Sequence, residues 1–218
     1  MRAFAKRDIA LSMYFPGPLR DQLHHSRFFA EMASASEIRR IGVVGCHRGA
    51  GVSTVALNIA SMLRQRTGES TLLAETNVRN PVYGTRWKLG TPGTFNRLIE
   101  PGNTAVEPDR LADGTDLFAA RFEPEPLGLL RLGLPKLMNA FLTYRHVVLD
   151  LPAVLDKPDA TILAPAMDVA ILVLEAEKTR WQVAKQTCEV LDSAGLRVMG
   201  VILNKRPTYI PDWLYRLL

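Results

Sequence analysis

Ile41-Gly42-Val43-Val44-Gly45 runs into Cys46-His47-Arg48-Gly49-Ala50-Gly51-Val52-Ser53-Thr54, and these fourteen residues carry the strongest indication of the fold. The first five residues form an apolar run of the length of a buried strand. Residues 53–66 then place apolar side chains at positions 55, 59, 62 and 63, and this spacing predicts a helix. The stretch therefore predicts a strand that passes through a glycine-rich loop into a helix.

The rest of the chain repeats this alternation of short apolar strands and helices. Predicted strands cover residues 72–74, 116–120, 147–150, 169–175 and 198–204, and predicted helices cover 21–33, 135–142, 179–193 and, in one or two turns, 211–218. Residues 82–115 are rich in Gly, Pro and Thr and predict irregular structure. Such alternation is typical of a doubly wound α/β domain, a mostly parallel sheet in a three-layer sandwich. We assign residues 21–218 to this domain and residues 1–20 to an irregular lead-in.

Composition limits the class of protein. The chain has 218 residues, of which 47% are hydrophobic, enough for a substantial core and against intrinsic disorder. No apolar run approaches the ~18 residues of a membrane span, and no signal-peptide block follows the N-terminus. The net charge of +5 is spread along the chain, so no nucleic-acid partner is expected. Cys46 and Cys188 lack metal-ligand spacing and favour a reduced, cytoplasmic compartment.

The loop after the first strand has the chemistry of an anion cradle. Glycines allow the backbone to turn its N–H groups inward, and the start of the helix adds a positive dipole end. The spacing of Gly45, Gly51 and Ser53 fits a phosphate-binding P-loop, except that Val52 stands where that motif has lysine. A charge-assisted bond to phosphate contributes about 1.5–3 kcal/mol, so the valine predicts binding weaker by ~10- to 100-fold. Arg48 and His47 on the same loop are candidates to replace the missing cation.

Two other interpretations of the loop stay open at this point. Gly49-Ala50-Gly51 with Glu75 after the next strand is part of a dinucleotide-binding fingerprint, although Thr54 stands at its third glycine and the loop is too long for its tight turn. The loop is also readable as an ordinary strand–helix connection that happens to be rich in glycine.

Four segments resemble, in order, motifs of the bacterial tyrosine autokinases, P-loop ATPases of capsule and exopolysaccharide synthesis that are related to partitioning and division-site ATPases. Residues 49–60 resemble their Gly-Glu-Gly-Lys-Ser-Thr…Asn-Leu-Ala loop, and residues 72–81 resemble their second acidic motif. Residues 144–152 resemble the Walker B strand, and residues 200–205 resemble the closing strand. The resemblance covers about residues 21–218 and implies a SIMIBI-like P-loop fold.

The sequence departs from the family's pattern at charged positions. Val52 replaces the loop lysine, and Glu75 and Asn77 replace two aspartates that in the family help to place metal and activate the acceptor. The helix motif that builds the family's ring is reduced to Asp21-x-x-His24-x-x-Arg27, and no tyrosine cluster ends the chain. Arg79, Pro81 and the residues named below for the site are retained.

The resemblance implies a set of site residues. The predicted nucleotide-binding residues are Gly45, Arg48, Gly49, Ala50, Gly51, Val52, Ser53, Thr54 and Asn204, the last facing adenine in relatives. Ser53 and Asp150 are the predicted magnesium ligands, and Asp150 and Glu75 are the predicted catalytic residues. For Asp150 the alternative is a carboxylate that caps the next turn, and for Glu75 it is an inherited surface carboxylate.

The departures from the motif favour a catalytically impaired relative of these kinases. We expect weak or absent ATP turnover, with ATP, ADP and Mg²⁺ either still bound or lost. The expected partner is an inner-membrane chain-length or export protein, which would recruit a cytoplasmic monomer or homodimer to the inner face of the plasma membrane. The alternative is an active protein tyrosine kinase or ATPase in which Arg48 supplies the cation.

Overall fold

The computed structural model describes residues 37–102, 106–156 and 158–206, and within these ranges seven strands form one sheet. The strands are β1 (Arg40–Gly45), β2 (Thr71–Glu75), β3 (Asp109–Arg110), β4 (Asp116–Phe118), β5 (His146–Asp150), β6 (Val169–Glu175) and β7 (Val198–Asn204). Their order in the sheet is β3-β4-β2-β5-β1-β6-β7. All neighbours are parallel except β3 and β4, which form an antiparallel pair at one edge.

Helices connect these strands. They are α1 (Val52–Thr67), α2 (Thr94–Ile99), α3 (Pro126–Phe141), α4 (Asp159–Ile162) and α5 (Trp181–Ser193), with a 3₁₀ turn at Ala164–Ala166. The chain leaves β1 towards β2 on one side of β1 and later passes from β5 to β6 on the other side. This reversal opens a crevice at the carboxyl end of β1, where doubly wound sheets bind ligands.

Apolar side chains fill both faces of the sheet. On one face α1 packs against the central strands, and Leu57 and Ile59 of α1 belong to the same apolar cluster as Val43 of β1. On the other face α2, α3 and α5 contribute residues such as Phe95, Leu130 and Leu191. The central strands β1, β2, β5 and β6 are buried from both sides over most of their length, so they are continuous apolar runs in the sequence. The predicted three-layer α/β fold is confirmed.

Most predicted elements are confirmed, and the clearest error concerns α3. We predicted a helix over residues 135–142, but α3 begins at Pro126, and Pro135 lies inside it. Pro126 stands in the first turn, where a missing N–H costs little. Pro135 is exposed and so lies on the solvent side of the helix, where the backbone can bend away from the sheet.

Smaller differences lie in the irregular middle of the chain. The region 82–115 contains α2 and β3, and the strand expected over 116–120 ends at Phe118. We did not predict α4 or the 3₁₀ turn after it. The lead-in over residues 1–20, the helix over 21–33 and the tail over 211–218 lie outside the described residues. In the described ranges, no helix combines the length and apolarity needed to cross a bilayer.

Candidate nucleotide-binding site

The glycine-rich loop wraps around the start of α1 directly behind the central strand β1, as the sequence predicts. Gly49 and Gly51 have φ values of 87° and 94°, in the left-handed region that favours glycine. Gly51 caps α1, and its carbonyl accepts the N–H of Val55 at 3.0 Å. Because no side chain caps this helix, the N–H groups of its first turn face the crevice as potential anion donors.

Val52 is the first residue of α1 and lies against Gly45 at the start of the loop. A Cβ placed on Gly45 would stand 2.9 Å from Cγ2 of Val52, so only glycine fits beneath this side chain. Val52 also packs against the apolar cluster on the α1 face of the sheet. The position that holds a cation in the P-loop motif is therefore an apolar contact here.

Side chains at the carboxyl end of the edge strand β7 hold the loop. At the end of β7, the Asn204 side-chain amide donates to the Ala50 carbonyl at 2.8 Å, and Lys205 Nζ donates to the Gly49 carbonyl at 2.5 Å. A Cβ on Gly51 would stand 2.1 Å from Asn204 Nδ2, so Gly51 is required for this approach. Lys205 also pairs with Glu175 at 3.2 Å. We missed Lys205, although its place directly after Asn204 was a usable signal.

His47 links the same loop to the segment before α5. Its Nδ1 lies 3.0 Å from the Arg48 carbonyl, which can only accept, so Nδ1 carries the proton. In the neutral ring Nε2 then accepts from the Thr179 hydroxyl at 2.9 Å, while that hydroxyl oxygen accepts the Glu175 N–H at 3.0 Å. His47 thus serves to position the loop, and it was one of our candidates for the replacement cation.

Asp150 ends β5 next to β1 and is fully buried. Burial raises the pKa of its carboxyl group to about 7, against the smaller effects of the neighbouring Ser53 and Tyr83 hydroxyls, which lower it. Neither carboxyl oxygen has a hydrogen bond of normal geometry to a described residue. Neither oxygen therefore caps the following turn, and the polar groups beside them are the Ser53 and Tyr83 hydroxyls.

Glu75 ends β2 and is paired in register with Asp150, so the two predicted catalytic carboxylates do lie together. Glu75 Oε1 accepts the N–H groups of Val82 and Tyr83, the second at 3.0 Å, and Oε2 accepts the Ala120 N–H at 2.7 Å. The residue is fully buried, and burial raises its pKa to about 7 although the three N–H bonds lower it. The interpretation of Glu75 as a surface carboxylate is wrong.

Tyr83 is a site residue that the sequence analysis missed. Its ring is fully buried and packs edge-on against Trp87 at 5.3 Å between ring centroids. Its hydroxyl donates to the Ser53 carbonyl at 2.8 Å, and burial, with Asp150 and Glu75 nearby, raises the tyrosine pKa well above its usual value. Two aromatic residues four apart in an otherwise Gly-, Pro- and Thr-rich segment were the available signal.

The site as a whole runs along the carboxyl edge of the sheet. Asn204 stands on the β7 side of the loop, whereas Asp150 and Glu75 stand on the β5 and β2 side. Ser53 and Thr54 lie in the first turn of α1, and the Thr54 carbonyl accepts the side-chain amide of Asn58 at 2.8 Å. Arg48 is exposed, with no ion pair or hydrogen bond from its guanidinium to the described residues. Such an arrangement can hold a phosphate chain on backbone N–H groups.

No protein-family model matches the chain. Among curated relatives, the tyrosine-protein kinase YwqD of Bacillus subtilis is 27% identical over 190 residues, 84% of this chain and 80% of the relative. The putative tyrosine-protein kinase CapB of Staphylococcus aureus is 27% identical over 177 residues, 79% of this chain and 77% of the relative. The succinoglycan biosynthesis transport protein ExoP of Rhizobium meliloti is 26% identical over 80% of this chain, but over only 23% of its own length.

Solved structures agree with these relatives. The kinase domain of VpsO superposes with a TM-score of 0.71 at 27% identity, over 87% of this chain and 92% of that domain. Cobyrinic acid a,c-diamide synthase of Mycobacterium smegmatis, solved with an ATP analogue and magnesium, gives a TM-score of 0.61 at 17% identity over 83% and 81%, a likeness of fold alone. The chain is a homologue of the bacterial tyrosine kinases of capsule and exopolysaccharide systems and has their P-loop ATPase fold.

Proposed function

We propose that this protein is a nucleotide-binding relative of bacterial tyrosine kinases with weak or absent ATP turnover. In this proposal it regulates polymerisation or export of an exopolysaccharide or capsule. One P-loop ATPase-like domain over residues 21–218 carries this regulatory function. The cradle of Gly45, Gly49, Ala50, Gly51, Val52, Ser53 and Thr54 holds the phosphates of ATP or ADP.

The observation that carries the proposal is the combination of an intact cradle with Val52. The loop keeps its left-handed glycines and its position at the start of α1. The Cγ2 methyl group of Val52 lies against Gly45, and the side chain offers no charge to phosphate. Backbone donors suffice to bind phosphate, whereas a cation is needed to stabilise the charge that develops during phosphoryl transfer. Binding without efficient turnover is the expected result.

The carboxylates support the same conclusion. Glu75 already accepts three backbone N–H groups, two on Oε1 and one on Oε2, so its carboxylate holds the loops at Val82 and Ala120, and taking a proton from an acceptor hydroxyl would weaken these bonds. Asp150 and the neighbouring Ser53 hydroxyl offer the oxygen ligands that Mg²⁺ prefers, and neither Asp150 oxygen has a hydrogen bond of normal geometry to a described residue. A magnesium ion therefore fits this pair and would neutralise charge on a bound nucleotide.

The relatives support a partner and a location for this proposal. ExoP, named as a transport protein of succinoglycan biosynthesis, contains a region similar to this chain within a much longer protein. We propose that this protein acts as a monomer or homodimer on an inner-membrane chain-length or export protein, at the cytoplasmic face of the membrane. Co-purification with the chain-length protein of its own genome, from detergent extracts, tests this interaction, and failure to co-purify at matched expression contradicts it.

Calorimetry with ATP and Mg²⁺ tests the role of Val52. We expect Val52→Lys to raise ATP affinity ~10- to 100-fold, since the added ammonium group forms a charge-assisted bond to phosphate. Val201→Lys is the matched control. Val201 is 56% exposed on β7, so the substitution adds the same charge at a site away from the loop. Equal affinities in wild type and Val52→Lys would contradict the proposal.

ATP turnover tests the impairment separately. We expect phosphate release by the wild-type protein to stay at the level of Asp150→Ala. If the wild-type protein hydrolyses ATP and Asp150→Ala abolishes this activity, the claim of impairment is overturned. The proposal that the protein binds nucleotide would be unaffected by that result.

Arg48 favours a second candidate, an active kinase or ATPase. Its guanidinium is exposed on the cradle and is not used by the described residues, so it is available to replace the lysine. This candidate predicts that Arg48→Ala abolishes nucleotide affinity while Val52→Lys changes it little, the reverse of the result expected above.

A further inference from the structure

A cleft of about 310 Å³ opens beside the cradle, on the side away from β7. Arg48 of the loop forms one wall. The segments that follow β2 and β5 form the others, and their lining residues include Asn77, Arg79, Asn80, Ala153 and Asp156. The cleft thus begins where a phosphate chain on the cradle would end.

The charges in this cleft are nearly balanced. Arg79 Nε pairs with Asp159 at 2.8 Å, and its Nη1 donates to the Pro124 carbonyl at 3.1 Å. The Asp159 side chain is 2% exposed, so this pair stays together inside the protein. Arg48 and Asp156 contribute one opposite charge each. A terminal phosphate with two negative charges would gain little from such a cleft, and Val52 adds no cation to it.

The hydrogen-bonding groups suit a neutral ligand with many hydroxyls. Asn77 Oδ1 is buried and accepts no hydrogen bond from a described residue, and a buried acceptor left in this way is costly. The amide of Asn80, the carboxylate of Asp156 and the guanidinium of Arg48 are planar groups that donate to or accept from hydroxyls. Pro152 and Ala153 give the same cleft an apolar wall, as small-molecule sites require.

The order of these features along the sheet matches one class of molecule. Three features follow one another along the carboxyl edge of the sheet: Asn204 at the end of β7, the cradle after β1, and the cleft at β5 and β2. The end of β7 lies two strands from β1, roughly 10 Å at the usual strand spacing, and the cleft lies one strand from β1 at β5 and two strands at β2, roughly 5–10 Å. We propose that the protein binds a nucleoside diphosphate sugar, with the diphosphate on the cradle, the sugar in the cleft and the nucleoside extending towards β7. This inference rests on the proposed nucleotide-binding function of the cradle.

Calorimetry on the full chain tests the inference with three pairs of probes, UDP-glucose with UDP, GDP-mannose with GDP and ADP-glucose with ADP, beside ATP. We expect at least one sugar form to bind 10-fold or more tightly than its own free diphosphate. If the diphosphates bind and no sugar form binds more tightly, the inference is overturned and the cradle stands. If neither the diphosphates nor ATP bind, both proposals are overturned.

Two variants assign the gain to the cleft. We expect Asn77→Ala and Asp156→Asn each to weaken binding of the preferred sugar form about 3- to 10-fold, the worth of one or two hydrogen bonds, and to leave diphosphate binding within ~2-fold. Asn139→Ala on α3 and Asp192→Asn on α5 are matched controls at exposed positions outside the cleft and should change neither. Two results would contradict the placement of the sugar in the cleft. One is unchanged affinity for the sugar form in both cleft variants, and the other is an equal loss of affinity for the sugar form and for its free diphosphate.

Discussion

At the scale of single residues, the two positions that depart from the kinase motif, Val52 and Glu75, make structural contacts within the protein. Val52 forms an apolar contact with Gly45 in place of a phosphate contact. Glu75, one methylene longer than the aspartate of the kinase motif, reaches the N–H groups of Val82, Tyr83 and Ala120. Its carboxylate therefore joins the loops after β2 and β4, and the extra methylene has a structural use.

Shortening Glu75 should therefore destabilise the fold and should not restore turnover. We expect Glu75→Asp to lower the free energy of unfolding by about 2–4 kcal/mol, because an aspartate cannot reach all three N–H groups and leaves buried donors unpaired. Urea denaturation monitored by circular dichroism measures this change.

Glu189→Asp is the matched control for this substitution, since Glu189 is 64% exposed and its ion pair with Lys185 is on the surface. We expect its effect to stay within about 0.5 kcal/mol. A Glu75→Asp protein as stable as the wild type, or one that gains ATP turnover, would contradict the structural role of Glu75.

At the scale of elements, close backbone contacts position α2 against α3. Gly133 of α3 lies so near α2 that a Cβ would stand 2.4 Å from the Ile99 Cβ and 2.8 Å from the Ile99 carbonyl oxygen. Gly128, one turn and a half earlier on the same helix, has no atom within 4 Å of such a Cβ. One glycine is thus required for packing, and the other is only a poor helix former.

These two glycines predict opposite effects of the same substitution. We expect Gly128→Ala to stabilise the protein by up to about 1 kcal/mol through helix propensity. We expect Gly133→Ala to destabilise it by about 1–2 kcal/mol, because the overlap with Ile99 outweighs that gain. Thermal denaturation measures the stability of both variants. If Gly133→Ala stabilised the protein, α2 would have to move away from α3 at no cost in free energy, which contradicts the packing role of Gly133.

At the scale of the whole molecule, stability depends on pH through buried groups at opposite ends of the sheet. Burial raises the pKa of Asp150 and Glu75 to about 7 at the carboxyl end. At the other end, burial and the Arg145 charge lower the pKa of His146 to about 4, and neither ring nitrogen has a hydrogen-bond partner among the described residues. Acidification from pH 7 to pH 5 therefore favours folding through the two carboxyls and opposes it through the histidine.

A histidine variant separates these contributions. The folded pKa of His146 is below its unfolded value of about 6.5, so its contribution is complete above pH 6.5 and is lost as pH falls towards 4. Between pH 7 and pH 5 this loss is about 2 kcal/mol, and His146→Leu should not show it. The measured quantity is the change in unfolding free energy between the two pH values, wild type against variant. Equal changes in the two proteins would contradict a buried, neutral His146.

Local sequence patterns were enough to predict the α/β class, the central strands and the place of the cradle, because apolar runs, helical spacing and glycines in a loop are local signals. It also identified Val52, since the lysine position belongs to a contiguous motif. The start of α3, the roles of Tyr83 and Lys205 and the burial of Glu75 could be read only from the folded chain. These depend on contacts between residues distant in the chain, such as Glu75 with Ala120 and Lys205 with Gly49, which no local pattern specifies.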